Sequence, residues 1–174
     1  MSMPAQVATQ LRDQLVEEYQ RESVTTQKVL KAIPSNKLDF KPHAKSMALG
    51  DLAWHLVSAD AMFVSSLVNG KFEMGKNTSG FPKERPNSVD AIVSAHEKWT
   101  AKNVADLKSL SGDQLARELD FAGVAKLPAV AYMRWCISHD IHHRAQLSVY
   151  LRLVDAKVPS IYGPSADDNP FEKK

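Results

Sequence analysis

His139 and His143 stand four residues apart in Trp135-Cys136-Ile137-Ser138-His139-Asp140-Ile141-His142-His143-Arg144-Ala145-Gln146. On an α-helix this spacing sets two imidazoles on one face, a turn apart, where both rings can reach one ion. His55, from a distant segment, would add a third nitrogen. Three protein ligands hold a divalent ion and leave a coordination position open, as catalytic metal sites do; structural sites are closed by a fourth protein ligand. Spacing alone leaves a second reading open, because inward histidines also occur as hydrogen-bonded core residues.

Four segments with helical periodicity must position these rings, and no segment shows a convincing strand alternation. The first covers residues 5–33 and is stopped by Pro34. The second follows Pro42, with Ser46 as its cap, and ends at Asn69-Gly70. The third opens at Pro86-Asn87-Ser88-Val89-Asp90 and runs to about Leu107. The fourth begins near Pro128, ends near Val154 and is the most apolar. The link over residues 70–85 could span roughly 50 Å when extended, whereas a 22-residue helix spans only about 33 Å. It is therefore long enough to cross a bundle end to end, so strict up-down-up-down order is not required. Phe72, Met74 and Phe81 in this link either cover a pocket or pack onto the bundle. Beyond Val154 the chain is too proline-rich for helix, and Ile161, Tyr162 and Phe171 predict a tail packed on the bundle.

Rotation at about 100° per residue tests whether the histidines share a face. On the fourth helix His139, Asp140, His143, Tyr132 and Cys136 fall on the apolar side with Met133, Leu147 and Leu151, whereas His142 lies off it. Around His55 on the second helix stand Asp51, Leu52, Ser58, Ala59, Met62 and Ser66. Several of these are small and leave room for a cavity. Ser58, Met62, Tyr132 and Cys136 are thus the candidates to line a pocket. His43 reads as an exposed loop residue and His96 as a packing or surface residue. Trp54, Trp99 and Trp135 read as core or rim.

Composition narrows the classes. At 174 residues, with 24% charged and 44% hydrophobic residues, the chain is expected to form a single domain over 1–174 with a substantial core. A net charge of +2 without a basic stripe gives no support to nucleic-acid binding. One cysteine excludes an intramolecular disulfide framework and cysteine-rich zinc sites. No apolar stretch approaches a membrane span, and the N-terminus lacks the pattern of a secretory signal, so a cytoplasmic location is expected.

Two longer stretches carry a resemblance. Phe40-Lys41-Pro42-His43-Ala44-Lys45-Ser46-Met47-Ala48-Leu49-Gly50-Asp51-Leu52-Ala53-Trp54-His55 leads a Pro- and Ser-containing loop into a histidine-bearing helix. His139-Asp140-Ile141-His142-His143-Arg144-Ala145-Gln146 is similar to an H-x-x-x-H-R-x-Q signature. With the tail Val158-Pro159-Ser160-Ile161-Tyr162-Gly163-Pro164, they make the chain resemble the DinB family, in the wider DinB/YfiT-like group. The resemblance implies an all-α, four-helix bundle of up-down-down-up connectivity. It implies a divalent metal, zinc or nickel, on His55, His139 and His143, and a homodimer. Arg144 and Gln146 match the signature and, with Asp140, are candidates to support the ligands from behind.

Members of the wider group include thiol-dependent transferases and isomerases. The resemblance thus implies a metal-dependent enzyme, with a low-molecular-weight thiol as a further cofactor and a small electrophile as substrate. Activated water and hydrolysis are compatible with the same ligands, and no general acid or base is identified. The alternative is a stress-associated protein that binds metal without turnover.

Overall fold

The computed structural model describes residues 3–73, 77 and 79–172. Helix α1 (Ala5–Lys31) starts directly after Pro4, whose carbonyl accepts from the Ala8 N–H at 3.0 Å. It ends with Lys28 and Lys31 in its last turn, before Pro34, which cannot continue a helix. Helix α2 (Leu49–Asn69) has no side-chain cap. Its first N–H groups are satisfied instead by the preceding loop, Leu49 donating to the Phe40 carbonyl at 2.9 Å and Gly50 to that of Leu38 at 2.8 Å. The expected cap at Ser46 is therefore replaced by a backbone one. Gly70 ends the helix in the left-handed conformation at φ 72°, as the sequence predicts.

Helix α3 (Val89–Ser109) is capped by Ser88, whose hydroxyl accepts from the Ala91 N–H, with Asp90 in the first turn. Two elements were not expected from the sequence. One is the short helix α4 (Gly112–Ala116), held by a capping box between Ser111 and Gln114. The other is an antiparallel hairpin of β1 (Glu118–Phe121) and β2 (Ala125–Pro128), pairing Leu119 with Leu127 and Phe121 with Ala125. The expectation of no strand is corrected here: two four-residue strands are too short to raise a period-2 signal above the helical background. Ala122 and Gly123, with φ 53° and 73°, make the turn, and the Asp120 carboxylate accepts from the Gly123 N–H at 2.7 Å. Helix α5 (Ala129–Leu153) follows at once.

Packing defines the topology. Helix α1 lies against α3 and α5, and α2 lies against the same two. One apolar cluster joins Leu15 and Val16, near the start of α1, to Phe63 and Leu67 late in α2. Leu107 late in α3 and Met133 and Ile137 early in α5 complete it. The other joins Val29 and Leu30 to Leu52 and Leu56, Ile92, and Leu147 and Leu151. Helices α2 and α3 therefore run parallel to each other and antiparallel to α1 and α5, the up-down-down-up order. The link after Gly70 crosses the full length of the bundle, as its reach allows.

Within that link Phe81 is buried against Trp54 and Trp99, at ring distances of 4.5 and 5.0 Å. Phe72 joins an aromatic cluster with Phe63, Phe121 and Tyr132; Met74 lies outside the described residues. The tail packs through Ile161 and Val158. The Tyr162 hydroxyl reaches Glu22 and Arg144, but Phe171 is 77% exposed and does not pack as expected. No described helix is long and apolar enough to cross a membrane.

A layer of buried polar side chains crosses the core: Tyr19, Ser23, Thr26, Asp60, His96, Asn103, Asp140 and Arg144. Burying such groups is costly unless they are paired. Most are paired, and the layer borders the histidines.

Candidate metal centre

Helix α2 supplies His55, and α5 supplies His139 and His143 one turn apart. One ring nitrogen from each lies within 4.8 Å of the other two. The Nε2 atoms of His55 and His139 are 3.1 Å apart. Two nitrogens bound at about 2.0–2.1 Å to a tetrahedral ion would stand roughly 3.3 Å apart, so this pair is already close to ligating distance. The rings are packed edge to face, with centroids 4.3–5.0 Å apart: 5.0 Å for His55–His139, 4.7 Å for His55–His143 and 4.3 Å for His139–His143.

Protonation favours ligation. Burial lowers the pKa of all three, and their mutual repulsion as cations adds to this; His139 falls to about 4. At neutral pH the cluster is uncharged and its lone pairs are free for an ion. His143 Nδ1 is 2.8 Å from the side-chain oxygen of Gln146. Since that oxygen only accepts, Nδ1 carries the proton and Nε2 is left with its lone pair. His139 Nδ1 is buried without a partner. Among the described residues no fourth histidine, cysteine or carboxylate joins the group. The three residues can hold a metal ion, with a side left open.

The other sequence candidates fall in different places. Ser58 and Met62 line a cavity of about 280 Å³ beneath the crossing link, with Asn77, Phe81 and Lys83. Tyr132 packs against Phe72 and the hairpin. It is fully buried, and its hydroxyl donates to the hairpin, with the Leu119 and Ala125 carbonyls at 2.9 and 2.8 Å. Cys136 is also buried, and its thiol donates to Asp60 Oδ1 at 3.0 Å. Burial, with Asp60 and Asp140 beside it, pushes that thiol's pKa well up, so it remains protonated and unreactive. Both residues point into the bundle, because the inward face of α5 is wider than the strip that meets the histidines.

Asp140 makes no hydrogen bond to a ligand ring. It is 0% exposed and faces Asp60, whose carboxylate accepts from the Tyr19 hydroxyl at 2.8 Å. Burial and the Asp60 charge hold its carboxyl well above the usual range, so the pair resists full ionisation. Arg144, 1% exposed, pairs with Glu22 at 2.5 Å and donates to Thr26 at 3.2 Å. It ties α5 to α1 rather than touching a ligand. His142 is exposed, with its ring 4.9 Å from that of His143. His43 is exposed and accepts from the Lys45 N–H. His96 is 3% exposed, and neither ring nitrogen has a partner.

The sequence reading missed the cavity that opens beside His139. It measures about 510 Å³ and is lined by Phe63, Phe121, Trp135, Ser138, His139 and His142. Residues 135, 138, 139 and 142 form one ridge of α5 by helical spacing, a signal that was present in the sequence. Phe121 reaches the cavity only through the hairpin.

Comparison with known proteins follows the same lines. YrdA of Bacillus subtilis is 27% identical over 160 residues, covering 91% of this chain and 92% of YrdA. The crystal structure of a DinB-like protein from Bacillus cereus matches with a TM-score of 0.70 at 26% identity, over 85% of this chain and 95% of that one. The mycothiol-dependent maleylpyruvate isomerase shares the fold, with a TM-score of 0.57 at 14% identity, over 83% of this chain and 61% of the isomerase. The DinB family model matches residues 1–172, and with a bundle of this topology carrying the histidine cluster, the chain belongs to the DinB family.

Proposed function

We propose that this protein is a divalent-metal-dependent enzyme that joins a low-molecular-weight thiol to a small electrophile. One observation carries the reading: three neutral imidazoles converge from two helices at the edge of a cavity, with no fourth protein ligand among the described residues. Zinc or nickel suits an imidazole donor set. When bound, the ion supplies Lewis acidity that lowers the pKa of a thiol or water at the open position.

The chain's own residues have separable tasks. His55, His139 and His143 bind the ion, and Gln146 holds the His143 ring in the ligating tautomer. Arg144 and Glu22 fix α5 against α1 and serve the bundle's stability. Cys136, protonated and bonded to Asp60, is not the nucleophile, so the thiol must come from outside. The structural likeness to a mycothiol-dependent enzyme supports a thiol over water as the activated group.

The first test is elemental analysis of the wild type beside His55→Ala and His139→Ala. About one equivalent of zinc or nickel in the wild type, lost in both variants with helicity retained, is expected. The metal-loaded protein is then given small thiols with a chromogenic electrophile. Bound metal without turnover for any thiol would favour a non-catalytic metal-binding protein instead.

A further inference from the structure

The cavity beside His139 differs from the one beneath the crossing link in a way that selects a ligand. The latter offers Ser58, Asn77, Ser79 and Lys83. The former is walled by Phe63, Phe121 and Trp135, and its lining contains no lysine, arginine or carboxylate. A charged group placed against the three rings would find only Ser138 and His142 to replace its water.

The wall is also preorganised. Phe121 stacks on Phe63 with rings 6.0 Å apart and 9° from parallel, and meets the edge of Trp135 at 5.7 Å. Behind it, Phe72 lies 4.9 Å from both Phe121 and Tyr132. Tyr132 in turn pins the hairpin through its two carbonyl contacts. Trp135 nevertheless remains 37% exposed, so the wall presents an aromatic surface that the described residues leave uncovered. His139 belongs both to the cavity lining and to the metal cluster, so a molecule in the cavity lies alongside the ligating rings. At about 510 Å³ the cavity falls within the usual range for small-molecule sites.

We propose that this cavity is a specificity pocket for an uncharged aromatic group of the substrate, gripped by Phe63, Phe121 and Trp135 beside the metal-binding histidines. Its position relative to the reacting centre rests on the metal-dependent reading above; the binding of the aromatic group does not. Offset stacking and edge contacts on three rings favour a flat apolar ring over an aliphatic chain of equal size. The hairpin then has a functional task, since it alone carries Phe121 to the site.

The test uses the full chain loaded with cobalt, whose visible absorption bands respond to a thiol entering the open position. Phenylmethanethiol, ethanethiol and 4-(mercaptomethyl)benzoate are titrated in parallel. Phenylmethanethiol should bind about tenfold more tightly than ethanethiol, from the apolar surface its ring buries. The benzoate should lose most of that gain. Phe121→Ala and the half-exposed Trp135→Ala should each reduce the preference to about threefold or less, with cobalt content and ethanethiol affinity unchanged.

Equal affinity of the first two thiols, or a preference that survives both variants, overturns the proposal while leaving the metal-dependent reading intact. Failure to take up cobalt overturns that reading instead. The pocket is then judged on the metal-free chain by saturation-transfer NMR with benzyl alcohol and benzoate. Signal from the alcohol alone, lost in Trp135→Ala, supports the pocket; no signal from the alcohol overturns it.

Discussion

His139 and Asp140 are adjacent on one turn of α5, yet they occupy opposite kinds of surroundings. His139 meets His55 and His143 at the edge of a cavity. Asp140 turns into the bundle and meets Asp60 with no route to solvent. Both clusters are built from α2 and α5, and both crowd titratable groups that would repel one another if charged. They relieve the crowding differently. The imidazoles stay neutral, each with one ring lone pair, while the carboxylates resist full ionisation and are enclosed by Tyr19 and Cys136. Crowding alone therefore does not make a site. Chemistry requires that the neutral form keep an unsatisfied electron pair facing space that a ligand can enter.

The widest separation between the two clusters is expected in metal affinity. His55→Ala should lower zinc affinity by about a hundredfold to a thousandfold, near a quarter of the 10–16 kcal/mol that four-ligand zinc sites deliver. Asp140→Asn should leave it within about threefold, because no histidine ring leans on Asp140. Competition with a chromogenic chelator measures both. Equal losses would mean that the two clusters act as one.

Stability should depend on the buried side instead. Arg144→Leu leaves Glu22 without its counter-charge and removes the tie between α5, α1 and the tail, at a cost of about 3 kcal/mol in denaturant unfolding. At low temperature, where the variant remains folded, metal stoichiometry should be unchanged.

His96 sharpens the comparison as a buried histidine without companions. Burial lowers its pKa to about 4, and the Glu97 charge only partly offsets this. The unfolded chain takes up this proton near pH 6.5 and the native chain only near pH 4. Native stability therefore falls as pH drops from 6.5 to 4, by at most about 3 kcal/mol from this group. In His96→Phe that contribution should vanish, so the difference in unfolding free energy between variant and wild type should grow in the variant's favour across this window. A difference independent of pH would show that His96 titrates normally.

The smallest effect is expected behind the ligands. Gln146→Leu frees the His143 ring without removing it, and zinc affinity should drop by about tenfold. Gln146→Glu, which keeps an acceptor at the same place, should restore most of it.

Much of the positioning was legible from local rules. The helix ends follow from Pro34, the Ser88 cap and Gly70, all chain-local effects of φ restriction and orphan N–H groups. The i, i+4 spacing of His139 and His143 was readable because the α-helix has a fixed period. The same rule puts Tyr132 and Cys136 on the inward side without naming their neighbours, the hairpin and Asp60. Rotation about a helix axis identifies the inward side but not the neighbour each inward residue meets, and here one side of α5 faces both the histidine cluster and the core.

The hairpin escaped because its signal is weak and its stability is not its own. An isolated two-stranded hairpin is marginal in water, and this one is held by Tyr132 and by the Phe63–Phe121–Trp135 contacts. Those contacts come from residues up to 72 positions away from one another in the chain (63 to 135). The raised pKa of Asp60 and Asp140 was hidden in the same way, since a pKa depends on neighbours that only folding supplies.

The sequence by itself determined the four long helices, the crossing link and the presence of three imidazoles with a common reach, because each depends on short-range periodicity or chain length. Tertiary structure alone decided that the imidazoles are neutral and open, that the neighbouring carboxylates are closed, and that an aromatic wall stands beside the histidine cluster. Burial, dielectric surroundings and ring contacts are properties of packed neighbours, and those neighbours come from segments that only the folded bundle brings together.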